Sequence, residues 1–151
     1  MAGRTDTASR LVPAPPEAVY AAFVDPEALI GWLPPAGMTG RALLFEPWEG
    51  GSYRIELTHD GDGAGKTTAR SDISAGRFLV LEPGKRIVQS VAFESDDAAF
   101  DGEMVMTWSL EAVPGGTRVT VAAGNVPAGI SAEDHAAGLA SSLENLARFV
   151  E

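Results

Sequence analysis

Apolar and polar side chains alternate through most of the middle of this chain, from residue 39 to residue 123. In one such run Tyr53, Ile55 and Leu57 alternate with polar neighbours, which is the period of a strand that buries one face. Clusters of Gly, Pro and Asp separate the alternating runs. The pattern predicts a flexible polar loop over residues 59–66 and six strands, around residues 42–45, 52–57, 73–81, 86–94, 103–110 and 117–122.

The pattern changes before this segment. Residues 8–13 form a predicted first strand, and Pro16 and Pro26 each stand at the first position of a predicted short helix. Proline suits that position because the first helical N–H has no partner within the helix. Asp25 is the expected N-cap of the second helix, which the Pro34-Pro35 pair ends.

After Ser131, a good N-cap residue, apolar side chains recur at steps of three and four to the end of the chain. This period predicts one long amphipathic helix. Its first half carries small side chains and its second half large ones, so the two halves cannot fill equal space. We therefore expect a cavity beneath Ala136, Gly138 and Ala140. The predicted buried stripe comprises Ala136, Leu139, Ala140, Leu143, Leu146, Ala147 and Val150.

The order of these elements is one strand, two short helices, six strands and one long helix. It predicts an α+β fold in which strands adjacent in sequence pair antiparallel. The 151 residues of the chain are enough for one domain with a single core. We expect one domain over residues 1–151, with residues 1–7 as a flexible tail.

Composition excludes several classes of function. The formal net charge is -10 with a pI near 4.6, so the protein repels phosphate backbones and anionic membranes, and nucleic-acid binding is not expected. The chain has no Cys, which excludes disulfides and thiolate chemistry. No long apolar run is present, so we expect a cytoplasmic protein that does not insert into a membrane.

Several motifs resemble the START-like superfamily, also called SRPBCC. They are Pro16-Glu17-Ala18-Val19-Tyr20, then Asp25-Pro26-Glu27-Ala28-Leu29 with Trp32, and Gly50-Gly51-Ser52-Tyr53-Arg54. Residues 81–88, 106–110 and 125–149 are similar to the branch named after the activator of the heat-shock-protein-90 ATPase. The resemblance spans residues 8–150. One departure is Gly138-Leu139, where this branch usually has Gly-Trp, so a roomier cavity is expected.

The resemblance implies a helix-grip fold. In this fold a curved seven-stranded antiparallel sheet wraps around the C-terminal helix, and the two short helices close an apolar cavity between them. Members of the superfamily include lipid carriers, aromatic polyketide cyclases and hormone receptors. The fold alone therefore does not select a function.

One face of the predicted sheet is suited to an apolar ligand. Met104, Met106 and Trp108 share this face by alternation, and aromatic and thioether groups are typical of ligand pockets, although an ordinary core has the same composition. Trp32 and Met38 are expected at the entrance or packed against the sheet. The candidate ligand-binding residues are Trp32, Met38, Tyr53, Ile55, Gln89, Val91, Phe93, Met104, Met106, Trp108, Leu139, Ser142 and Leu143.

Gln89 is the polar residue on the otherwise apolar face of its strand. A buried amide without a hydrogen bond costs on the order of 1–3 kcal/mol. Gln89 should therefore have a partner, which is either protein or ligand. The phenol of Tyr53 and the indole N–H of Trp108 offer similar polar contacts.

No pattern indicates catalysis or a metal site. His59 and His135 are far apart and lack the spacing of metal ligands, and no Ser has the context of an activated nucleophile. We therefore expect no catalytic residue, no metal and no cofactor. A cluster of carboxylates near a hairpin tip is expected to be solvated; it comprises Asp96, Asp97, Asp101 and Glu103.

Three functions remain open. The first is non-enzymatic binding of a small apolar, aromatic or lipid-like molecule in the central cavity. The second is a protein-interaction role like that of the heat-shock-protein-90 activator, with a chaperone or another protein as partner. The third is an enzyme of the cyclase or hydrolase type.

The cavity distinguishes these functions. A solid core favours the interaction role, an enclosed void with one or two unpaired polar groups favours the binder, and a close carboxylate–histidine pair in the void favours the enzyme. Of the three functions, we expect non-enzymatic binding of a small molecule. The identity of the ligand, and whether the protein is a monomer or a homodimer, are left open.

Overall fold

The computed structural model describes residues 4–34, 37–59, 71–94 and 102–150. This part of the chain has the predicted order of elements, and the α+β class is confirmed. The elements are β1 (Arg4–Val12), α1 (Pro16–Val24), α2 (Pro26–Trp32), β2 (Met38–Phe45), β3 (Ser52–His59), β4 (Ser71–Glu82), β5 (Arg86–Phe93), β6 (Met104–Val113), β7 (Gly116–Val126) and α3 (Ala132–Phe149).

The seven strands form one sheet in the order β1-β7-β6-β5-β4-β3-β2. Every neighbouring pair is antiparallel. β1 pairs with β7 and not with β2, so the two short helices cross from one edge of the sheet to the other. Together with α3, which packs against the sheet, this topology confirms the helix-grip fold.

β1 begins at Arg4, four residues before the predicted start, and it pairs with β7 along its whole length. The expectation of a flexible tail over residues 1–7 is therefore wrong for residues 4–7, and residues 1–3 lie outside the described residues. Between Arg4 and Asp6 the register shifts by one residue on β7, where Asn125 has a φ of 57°. Such a bulge changes the direction of nearby side chains. Apolar alternation alone could not predict this pairing because residues 4–7 are mostly polar.

The predicted caps and helix starts are confirmed. The Asp25 side chain accepts hydrogen bonds from the backbone N–H groups of Glu27 and Ala28, and Ser131 accepts one from the N–H of Asp134 at 3.0 Å. Each bond satisfies a donor in a first helical turn that would otherwise have no partner.

The buried stripe of α3 differs from the predicted one. Ala136 and Ala140 are exposed and Val150 is only half-buried. Leu139, Leu143 and Leu146 determine which face of the helix turns inward, and the small alanines lie away from that face because leaving a methyl group in water costs little. The buried residues of the helix are Leu139, Ser142, Leu143, Leu146 and Ala147.

Two predicted surface features lie mostly outside the described residues: residues 60–66 of the loop, and Asp96, Asp97 and Asp101 of the acidic cluster. Glu103 is described and exposed. None of the helices in the described part of the chain combines the length and apolar character needed to cross a membrane.

Candidate functional site

A cavity of about 370 Å³ lies between α3 and the concave face of the sheet. The structure brings twelve of the thirteen candidate residues to its wall, and their binding of a ligand remains a prediction. The exception is Leu143, which is buried in the core beside the cavity. The twelve are Trp32, Met38, Tyr53, Ile55, Gln89, Val91, Phe93, Met104, Met106, Trp108, Leu139 and Ser142.

Two clusters of aromatic rings form much of the wall. Phe23, Trp32 and Trp108 contact one another edge to face, with ring centroids 4.9 to 5.8 Å apart. Trp32 is fully buried, so it belongs to the wall, and its indole N–H donates to the Ala22 carbonyl. The second cluster consists of Phe45, Tyr53 and Phe78. Edge-to-face contacts hold rings in fixed orientations, so both clusters are rigid surfaces.

The residues of α3 that line the cavity differ from the expected ones, which were Ala136, Gly138 and Ala140. The cavity faces His135, Gly138 and Leu139, whereas Ala136 and Ala140 are exposed. Gly138 lies on the wall of this cavity, whereas Ala136 and Ala140 do not line it, so the expectation of a cavity beneath those two residues is wrong. A Cβ built on Gly138 meets no atom within 4 Å, so the missing side chain leaves open space.

The polar groups on the sheet wall bind one another. The Trp108 indole N–H donates to Gln89 Oε1 at 2.9 Å, and the Tyr53 hydroxyl donates to the Ser90 carbonyl. Burial raises the pKa of Tyr53 well above its usual value, although a hydrogen bond from Gln89 favours the phenolate. The sequence left open whether the partner of Gln89 was protein or ligand, and the structure supplies protein partners.

Ser142 holds the helix in place. Its hydroxyl donates to the Leu33 carbonyl at 2.7 Å, and one turn later the Asn145 amide donates to the Pro34 carbonyl at 2.9 Å. These bonds satisfy carbonyls near the end of α2 and attach α3 to it. The hydroxyl of Ser142 is therefore already used within the protein.

Asp6 and His135 form a partly buried pair that the sequence did not indicate. Nδ1 of His135 lies 2.7 Å from Oδ2 of Asp6, and the two side chains are only 13% and 10% exposed. Arg4 donates to both carboxylate oxygens of Asp6 and to the Ile130 carbonyl. The group thus connects the start of β1 to the first turn of α3.

The charge of this carboxylate is stabilised by its partners. Burial by itself raises the pKa of Asp6, but the hydrogen bonds and charges of Arg4 and His135 outweigh it, so the pKa lies below its usual value of 3.8. Asp6 is therefore ionised at neutral pH and acts only as a hydrogen-bond acceptor.

A sequence signal for this pair existed. His135 precedes Leu139 by four residues, so the two side chains share a helix face. Asp6 was not considered as its partner because residues 1–7 were expected to form a flexible tail outside the sheet. The cavity wall also contains residues that were not predicted: Phe23, Leu29, Leu33, Phe45, Leu57, Asp72, Ser74, Phe78, Ile130, Asp134 and His135.

Metal and nucleophile chemistry find no support in the described ranges. Within residues 4–34, 37–59, 71–94 and 102–150, no group of three or more His, Asp or Glu side chains could hold a metal ion. In the same ranges no Ser or Thr hydroxyl is hydrogen-bonded to His135. Among the described residues, the Asp6–His135 pair is therefore a carboxylate–histidine dyad with no nucleophile hydrogen-bonded to it.

Comparisons with known proteins give a family and several similar folds. Residues 13–151 match the family model of Activator of Hsp90 ATPase homolog 1-like protein. A protein from Chromobacterium violaceum is 35% identical, with a TM-score of 0.88 over 97% of this chain and 96% of that one. A protein from Rhodobacter sphaeroides is 26% identical, with a TM-score of 0.76 over 98% and 95%.

A more distant similarity concerns the fold alone. An AHSA1-like protein from Aeromonas hydrophila is 19% identical, with a TM-score of 0.69 over 97% of this chain and 92% of that one. No curated protein matches this chain in sequence.

Proposed function

Because this chain belongs to the family of Activator of Hsp90 ATPase homolog 1-like proteins, we propose that it binds a small apolar or aromatic molecule between α3 and the sheet, without catalysing a reaction. The observation that carries this proposal is the cavity of about 370 Å³ lined mostly by aromatic, aliphatic and thioether side chains. Pockets for small molecules typically measure ~300–1,000 Å³. This cavity is near the lower limit, which favours a ligand of one or two fused rings.

The size of the cavity argues against a purely structural role. In protein cores an empty volume costs about 24 cal/mol per Å³ where water is excluded, because the surrounding atoms lack packing partners on that side. This cavity is partly open to solvent, so only its enclosed part carries that cost. Larger side chains at Gly138 or Leu139 would reduce this cost, so their small size is consistent with selection for an occupant.

A matched pair of Trp substitutions tests the proposal. Leu139→Trp places an indole in the cavity, whereas Ala140→Trp adds the same side chain at the next, exposed position. Titration calorimetry with 2-methoxynaphthalene should show binding to the wild type and to Ala140→Trp, and at least tenfold weaker binding to Leu139→Trp. Absence of binding to the wild type, or equal binding to all three proteins, would contradict the proposal.

A second candidate function is the interaction role that the family name describes, with a chaperone as partner. The family match itself favours it. We expect weak binding because an isolated acidic domain lacks the gain in effective concentration that linked modules provide. Tight stoichiometric binding to purified Hsp90, with stimulation of its ATPase, would place this function first. A cytoplasmic location and the oligomeric state remain predictions.

The dyad of Asp6 and His135 is the one observation that favours an enzyme. A dyad of this kind can accept a proton, but covalent catalysis also needs a nucleophile within hydrogen-bond reach. In the part of the chain that the structure describes, His135 has no such neighbour. We therefore assign the dyad to ligand binding.

A further inference from the structure

His135 presents a polar atom to a cavity lined mostly by apolar side chains. Its imidazole lines the cavity, and Nδ1 is engaged by Asp6. For Nε2, the residues described provide no hydrogen-bonding partner. A buried polar group without a partner is unfavourable unless water or a ligand supplies one.

The Asp6 carboxylate determines which nitrogen of His135 carries the proton. An ionised carboxylate only accepts hydrogen bonds, so Nδ1 must be the donor in the 2.7 Å contact. In a neutral imidazole the other nitrogen is then an acceptor. Arg4 holds the carboxylate in place by donating to both of its oxygens, so Nε2 of the neutral imidazole is an acceptor with a defined position.

The sheet register places the dyad at one end of an apolar row. Asp6 pairs with Ala123, Ala123 with Met106, and Met106 with Gln89. Strands are ~4.8 Å apart, so Asp6 and Gln89 lie roughly 14 Å from each other across the concave face. Ala123 and Met106 between them are apolar. A molecule on this row would contact apolar side chains along its body and His135 at one end.

The surroundings of His135 favour a neutral polar group. The Asp6 carboxylate lies 2.7 Å from the imidazole, the neighbouring Asp134 also lines the cavity, and the chain carries a net charge of -10, so a carboxylate or phosphate on the ligand would be repelled. An ammonium group would lose its hydration against a mostly apolar wall. A hydroxyl group carries no charge and can donate the hydrogen bond that Nε2 accepts.

We propose that Nε2 of His135 accepts a hydrogen bond from a hydroxyl group of the bound molecule, so that the protein selects phenols and related hydroxylated aromatic compounds. This inference rests on the proposed ligand-binding function and names the class of ligand. His135 acts as the polar contact that sets the orientation of the ligand, and Asp6 and Arg4 are positioning residues.

Three matched probes test this inference by calorimetry: naphthalene, 2-methoxynaphthalene and 2-naphthol. The last alone has a hydroxyl group to donate. The wild type should bind 2-naphthol about tenfold more tightly than the other two, the effect expected for one hydrogen bond in an apolar site. In His135→Phe, which keeps a ring of similar size, the ratio of the affinities for 2-naphthol and 2-methoxynaphthalene should fall to about one, whatever the affinity of the variant for either probe.

Folding of the variant has its own control. His135→Phe leaves the Asp6 carboxylate without its imidazole partner, which can destabilise the fold. If the single variant does not fold, the same three probes are compared on the double variant Asp6→Asn with His135→Phe, in which the unpaired charge is removed. Equal binding of 2-naphthol and naphthalene to the wild type, or an unchanged preference in the variants, would overturn the inference and leave the proposed function in place. Failure of all three probes to bind the wild type would overturn both.

Discussion

Replacing Leu143 by Ala should cost clearly more unfolding free energy than the same replacement at Leu139, although the two residues lie one turn apart on one helix. Leu143 is 1% exposed and packed in the core. Leu139 is also buried, but one side of it faces the cavity. The helix propensity of Leu and Ala changes equally at both sites. The difference between the two variants therefore measures the cavity.

The magnitudes follow from what each side chain contacts. Leu→Ala removes three carbon atoms, and about 0.8 kcal/mol per buried CH₂ gives ~2.4 kcal/mol for transfer alone. At Leu143 a new void adds to this, for a total of about 3–4 kcal/mol. At Leu139 the removed atoms already lack neighbours on the cavity side and the new space joins the existing cavity, so we expect about 1–2 kcal/mol.

Urea denaturation followed by circular dichroism measures both losses. The two variants should have the same m-value as the wild type and different midpoints. A loss within about 0.5 kcal/mol for Leu143→Ala would remove this residue from the core. Equal losses at the two positions would show that Leu139 does not face a cavity.

Three further predictions concern Asp6, Tyr53 and two glycines. The pKa of Asp6 is below its usual 3.8 in the folded protein. Its ion pair therefore stabilises the fold above about pH 4, and this contribution is lost as the pH falls through the lower folded value. In urea denaturation as a function of pH, the free energy of unfolding of Asp6→Asn should fall less at acid pH than that of the wild type. Burial raises the pKa of Tyr53 far above that of a free phenol and raises the pKa of Tyr20 as well. Tyr20 should therefore ionise first in an absorbance titration. Tyr20→Phe should remove the phenolate signal that develops before alkaline unfolding, whereas Tyr53→Phe should leave that signal unchanged. A Cβ on Gly76 would lie 1.8 Å from the Ser90 carbonyl oxygen, while one on Gly138 meets only open space. In thermal melts, Gly76→Ala should therefore be strongly destabilised, whereas Gly138→Ala should gain up to about 1 kcal/mol in the free energy of unfolding.

The sequence predicted the fold because its signals are local and agree with one another. Alternation in the strands, proline at Pro16 and Pro26, and caps at Asp25 and Ser131 each specify one element. The same alternation places Met104, Met106 and Trp108 on one face, which explains why most candidate residues lie on the cavity wall. These features depend on residues close together in the chain.

The errors lie where distant parts of the chain meet. Ser142 lies on the buried face of α3, where its hydroxyl donates to the Leu33 carbonyl, and no helical period contains such a long-range partner for a polar side chain. The strand from Arg4 to Thr7 carries polar residues, because its partners include His135 on the last helix. The polar character of this segment therefore did not indicate that it pairs with β7 in the sheet.

Methyl NMR can detect an apolar molecule in the space beneath α3, as proposed above. Met38, Met104 and Met106 line the cavity, whereas Leu44 and Leu79 are exposed. With ¹³C-methyl labels on Met and Leu, titration of 2-methoxynaphthalene should shift the resonances of Met104, Met106 and Leu139, because aromatic ring currents act over short distances, and should leave Leu44 and Leu79 unchanged. Shifts confined to Leu44 and Leu79, or the absence of any shift at saturating probe, would contradict the account.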